Sequence, residues 1–121
     1  MKRLAISFLA ATTVFSSFAA QPHAEVEQLL SRLAASGCRF QRNGSWYDAA
    51  EARTHLAKKY QHLQDRRPQS TTEDFIALAG SKSSASGKPY LVKCADQREV
   101  PSADWMTAQL KQLRAGKPGA P

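Results

Sequence analysis

The side chains of this 121-residue chain that carry usable chemistry are cations and hydroxyls. Arg42 closes a Cys38-Arg39-Phe40-Gln41-Arg42 run, His55 and Lys59 stand four apart, and Ser83, Ser84, Ser86 and Lys88 crowd one serine-rich segment. Lysine and arginine supply positive charge while serine hydroxyls or loop amides supply directed donors, so these seven residues could converge on one anionic group. The competing arrangement leaves Arg42, Lys59 and Lys88 on separate solvated faces. A second chemistry open to the same residues is hydrolysis or group transfer. It needs a serine of the 83–88 segment as nucleophile and His55 as general base within hydrogen-bond reach.

More specific catalytic patterns fail on spacing. Gly80 to Gly87-Lys88 imitates a phosphate-binding loop, but six residues separate its glycines and Pro89 follows the lysine, where the motif requires four and a Ser or Thr. Neither Lys82 nor Lys88 has a serine three residues before it, as serine-lysine catalysis on a helix demands. Cys38 could pair with His55 only as a free thiol. His55 and His62 are seven apart and Glu51 and His55 four apart, with no third ligand suggested nearby, so neither a metal nor a cofactor is expected.

The elements that must position these residues are legible from their periodicity. Val26, Leu29, Leu30, Leu33 and Ala34 mark an amphipathic helix over residues 25–36, stopped by Gly37. Asn43-Gly44 between two short apolar runs predicts a tight hairpin, with Phe40 facing Tyr47 and Cys38 on their face. Asp48-x-x-Glu51 has the form of a capping box and opens a second helix to about Arg66, with a stripe of Ala49, Ala52, Leu56, Tyr60 and Leu63. On an adjoining face of that helix His55, Lys59, His62 and Arg66 recur. Thr71-Thr72-Glu73-Asp74 starts a short third helix, residues 81–88 form a loop, and 89–94 read as a strand with Tyr90, Val92 and Cys94 on one side. A last helix begins at Pro101-Ser102, capped by Ser102, with Met106, Leu110 and Leu113 facing inward and Trp105 at its flank.

The expected fold class is α+β: one small domain over residues 20–115, with a short antiparallel sheet (the hairpin plus one further strand) packed against about four helices. Residues 116–121 read as a disordered tail. Met1-Lys2-Arg3, an apolar stretch and a small-residue exit at Ser17-Phe18-Ala19 form a signal peptide over residues 1–19, cut after Ala19 or at neighbouring Ala20. The expected location is therefore periplasmic or secreted, with no stable membrane insertion after cleavage. Losing Lys2 and Arg3 would reduce the formal charge from +7 to about +5. Export makes nucleic acid an improbable target for that charge and favours an anionic envelope component or an acidic protein. The same compartment favours a Cys38–Cys94 bridge over two separate buried thiols.

Four stretches then match a known pattern: Phe40-x-Arg42-Asn43-Gly44, Ala49-x-x-Ala52-x-x-His55-Leu56-x-x-Lys59, Thr71-x-Glu73-x-Phe75-Ile76, and Ser83-Ser84-x-Ser86-Gly87-Lys88-Pro89-Tyr90. In this order they resemble the YfeK-like family of small exported bacterial proteins, over about Glu25 to Arg114. The resemblance implies a signal peptide and a periplasmic home, and it brings no activity or site residue with it. The cysteine pair and the Pro101-to-Trp105 segment look like features of one branch. The expected function is a binding module for an anionic partner, more than an enzyme. The alternatives are the serine-loop hydrolase or transferase above, and an envelope assembly or chaperone accessory that meets its partner through Trp46 or Trp105.

Overall fold

Asn43 and Gly44 take φ angles of 50° and 83° in the computed structural model, the pair of positive values that a two-residue hairpin turn requires. Described are residues 21–119 and, before them, positions 5, 7, 10 and 11. Apart from those four positions the leader lies outside the described residues, as do Ala19 and Ala20. The turn joins β1 (Arg39–Arg42) to β2 (Ser45–Tyr47), with Phe40 opposite Tyr47 as expected. On its other side β1 pairs antiparallel with β3 (Leu91–Lys93), the further strand that the sequence predicts for this sheet. A two-residue strand that the sequence reading missed, β4 (Val100–Pro101), completes the order β2-β1-β3-β4. It escaped notice because two residues are too few to show an alternating pattern.

The register of β1 against β3 organises the molecule. Phe40 sits opposite Val92, and continuing the pairing by two residues either way sets Cys38 opposite Cys94 and Arg42 opposite Tyr90. Side chains alternate between faces along a strand, so Cys38, Phe40 and Arg42 share one face with Tyr90, Val92 and Cys94. Cys38 and Cys94 are bridged, with Cα atoms 4.2 Å apart, and all four apolar members of this ladder are buried with Tyr90. Arg42, at the open end, is half-buried.

Four helices cover that face. In α1 (Pro22–Ala35) Val26, Leu29, Leu30 and Leu33 are buried, and the helix starts three residues before the expected Glu25 because Pro22 suits a first helical turn. Asp48 accepts from the Glu51 amide at 2.8 Å to start α2 (Ala49–Arg66), which buries Ala49, Ala52, Leu56 and Tyr60. Thr71 and Asp74 cap each other across the first turn of α3 (Thr72–Leu78). Phe75 of α3 packs edge-on against Tyr60 with ring centres 5.3 Å apart. Full burial of one leucine such as Leu56 contributes about 1.5–3 kcal/mol, so these stripes hold the helices to the sheet.

The last helix, α4 (Ser102–Arg114), corrects two expectations. Ser102 is not its cap: Pro101 holds the cap position, and Ser102 is fully buried in the first turn, where its amide donates to the Tyr90 carbonyl at 2.8 Å. Trp105 is buried rather than flanking, because α4 lies across both α1 and α3 and turns this side chain inward as well as Met106 and Leu110. After α4, the Lys117 amide donates to Gln112 and its carbonyl accepts from Arg32 of α1. No described helix is long and apolar enough to cross a membrane.

Candidate functional site

At the open end of the ladder the turn, α2 and the serine loop meet. The alternation that buries Phe40 carries Arg42 over the edge of the core, and its guanidinium lies 5.0 Å from the centre of the Tyr47 ring. His55 and Lys59 project from adjacent turns of α2 beside the buried stripe, so both are half-buried. Tyr90 completes the group. Sequence reasoning placed it in the core and missed its hydroxyl; extending the β1–β3 pairing to Arg42 would have revealed it.

The hydrogen bonds fix the protons. Arg42 Nη1 lies 2.7 Å from His55 Nδ1, and a guanidinium only donates, so Nδ1 accepts and the neutral ring carries its hydrogen on Nε2. That Nε2 donates to the Tyr90 hydroxyl oxygen at 3.1 Å. Lys59 Nζ donates to the same oxygen at 3.0 Å and to the Lys82 carbonyl at 2.8 Å. Tyr90 oxygen thus receives two donors, and its own hydrogen has no acceptor among the described residues. Burial first, and then the charges of Arg42, Lys59 and Lys58, hold the His55 imidazole down at about 4. Burial and Arg42 also lower Lys59, while burial raises the Tyr90 hydroxyl.

Neither Arg42 nor Lys59 has a carboxylate within 4 Å among the described residues. Both line a cavity of about 300 Å³ with His55 and Tyr90, rimmed by Asn43, Ser83, Ser84 and Ala85. A second cavity of about 320 Å³ lies on the hairpin side of the Arg42–His55 pair, against Tyr47, Glu51 and Lys58. The site is rich in donors and poor in acceptors, and half-buried charge without a counter-ion is costly to keep.

The serines divide into three roles. Ser83 is buried, and its hydroxyl accepts from Asn43 Nδ2 at 3.4 Å and from the Ser86 amide at 3.3 Å, which folds the loop onto the hairpin turn. Ser86 donates to Asn43 Oδ1 and accepts from the Lys88 amide at 3.2 Å. Ser84 is exposed on the cavity rim. The Lys88 side chain is exposed and lines none of these cavities; its carbonyl accepts from the Ser83 amide at 3.0 Å. Arg42, His55, Lys59, Ser83 and Ser84 are therefore brought together. Ser86 works as a loop brace, and Lys88 stands outside. Asn43, read only as a turn former, is the residue that ties the turn to the loop.

Among the described residues no hydrogen bond joins His55 to a serine, and both of its ring nitrogens are engaged by Arg42 and Tyr90. Among the described residues no three His, Cys, Asp or Glu side chains come together to hold a metal ion. No curated protein and no solved structure matches the chain. A family model does match, over residues 20–114, without singling out the YfeK-like proteins: the chain belongs to the family of unknown function DUF5329.

Proposed function

We propose that this protein is a non-catalytic binding module for an anionic group, seated on Arg42, Lys59 and the Tyr90 hydroxyl beneath the Ser84 rim. One observation carries the reading: Lys59 and the His55 ring both donate to the Tyr90 hydroxyl, Arg42 stands against that ring, and among the described residues neither cation has a carboxylate within 4 Å and the hydroxyl hydrogen has no acceptor. An anion supplies the missing acceptors and the missing charge. The hydrolase alternative is weaker because a base must offer a free nitrogen and hold a proton, and the His55 ring has neither property in this field. The accessory reading loses Trp105, which is buried, and keeps only half-buried Trp46.

The partner we favour is an anionic envelope component or an acidic protein, in keeping with the signal peptide expected from the sequence and with its resemblance to YfeK-like proteins. Calorimetric titration with inorganic pyrophosphate tests the site itself. Arg42→Ala should weaken binding about tenfold, as loss of one charge-assisted contact implies. Lys88→Ala should leave binding unchanged. Equal affinity in Arg42→Ala and the parent protein would refute the assignment.

A further inference from the structure

We propose that the groove next to this cavity takes an extended acidic peptide carrying an aliphatic side chain, laid along α2. The proposal rests on the anion-site reading, since Lys59 and Ser84 line both places. The groove has a volume of about 540 Å³, within the range of small-ligand sites. One wall is basic, with His62 and Arg66 from α2 and Arg67 just beyond it; the floor is apolar, with Leu63 and Leu78. No carboxylate lines it, and neither Arg66 nor Arg67 has an acidic partner within 4 Å among the described residues. Leu78, at the end of α3, is 48% exposed and is the one large hydrophobic side chain so exposed among the described residues.

Charge and shape together select the occupant. Lys59 and Arg66 are seven residues apart on α2, or about 10 Å at the helical rise. Three residues of extended peptide cover the same distance. A peptide with acidic side chains three apart therefore places one carboxylate at Lys59 and the other at Arg66, with an intervening aliphatic group over Leu63 and Leu78. A small anion would satisfy the cations and leave Leu78 uncovered. A bilayer would have a single apolar anchor, which is little for insertion.

Fluorescence anisotropy with two labelled, amidated hexapeptides tests the proposal. The first has aspartates at its second and fifth positions and leucines between them; the second replaces the leucines by serines. Leu78→Ser should weaken the leucine peptide about tenfold, in line with the burial of one aliphatic side chain, and leave the serine peptide and pyrophosphate unchanged. Arg66→Ala should weaken both peptides and spare pyrophosphate, whereas Arg42→Ala should weaken all three probes. Equal binding of the two peptides, or an indifferent Leu78→Ser, overturns the groove while leaving the anion site standing. So does Leu78-dependent sedimentation with phosphatidylglycerol vesicles without a preference for the leucine peptide. An Arg42→Ala protein that binds pyrophosphate normally overturns the anion site instead.

Discussion

Arg114 and Arg42 are both arginines at the rim of the core, and their surroundings are opposite. Arg114 of α4 reaches Glu25 of α1 through a two-pronged pair at 2.9 and 3.0 Å and also meets Glu73 of α3, while Thr72 donates to Glu25 at 2.6 Å. Arg42 meets an imidazole and a tyrosine, with no carboxylate among its described partners. The first cluster joins three helices and gives each charge in it an opposite partner. The second leaves a positive cavity between the hairpin, α2 and the serine loop. Evidently the chain can provide acidic partners where charge serves stability. Among the described residues no carboxylate lies within 4 Å of Arg42 or Lys59, and the proposed anion site would give that arrangement a use.

The contrast extends to protonation. The hydrogen bonds from Arg114 hold Glu25 and Glu73 below the usual carboxylate range and raise Arg114 itself. In the other cluster burial first, and then the neighbouring cations, push His55 toward neutrality. One region gains from its charges, and the other bears them.

The bridge that closes the ladder should show the largest effect. Replacing Cys38 and Cys94 by alanine opens a crosslink spanning 56 residues, which should lower stability by about 4 kcal/mol in the chain-entropy account. Denaturant unfolding measures it, and a loss well under 1 kcal/mol would show that the register needs no crosslink to set Arg42 opposite Tyr90. The comparison itself is tested next by Arg114→Ala, which should lower stability by about 1–2 kcal/mol, since the pair is two-pronged but partly exposed. Arg42→Met should change stability by less than about 0.5 kcal/mol or raise it, because repulsion with Lys59 disappears. If both arginines prove equally important for stability, the division between the two regions collapses.

Acid should separate the regions further. The unfolded chain protonates His55 near its ordinary 6.5 and the folded chain near 4, so between these values the unfolded state binds more protons. Stability from this group is complete above 6.5 and falls as pH is lowered toward 4. Glu25 and Glu73 follow the same sign in a lower window: their contribution is present above the ordinary carboxylate value of 4.5 and is lost below it, as pH falls through their depressed folded values. Stability of His55→Gln should therefore be flatter than that of the parent between pH 6.5 and 4, and of Arg114→Ala flatter below 4.5. The smallest effect is proton uptake on anion binding. A bound anion offsets Arg42 and Lys59 and raises His55 from its depressed value, so from pH 7 to pH 5 the parent should hold pyrophosphate modestly better than His55→Gln does, a comparison in which the titration of pyrophosphate itself cancels.

Much of the fold was legible because its signals are local. Asn43-Gly44 specifies its turn through backbone sterics, and the leucines of α1 declare their helix by spacing. Ser102 misled because a serine after proline looks like a cap in isolation, and only the packing of α4 on the sheet shows that it is buried. Site residues Arg42, His55 and Lys59 were legible by type and helical spacing. Tyr90 was not, because a tyrosine in an apolar strand is indistinguishable from core until its hydroxyl finds partners. Lys88 belonged to the same basic loop in sequence, yet its side chain stands outside the cavities, since the braces from Ser83 and Ser86 engage the lysine through its backbone.

From its sequence by itself this protein has a hairpin and four helices of known polarity, a surplus of positive charge and two cysteines in strand positions facing the core. Those follow from local propensity and from the two periods of helix and strand. The structure bears out the expected Cys38–Cys94 bridge, but only the tertiary structure decided that Arg42 opposes Tyr90 and that Arg114 takes the carboxylates which Arg42 lacks. Strand register and helix docking bring together residues 48 to 89 positions apart, as Arg42 and Tyr90 or Glu25 and Arg114 are, and no local rule reaches that far.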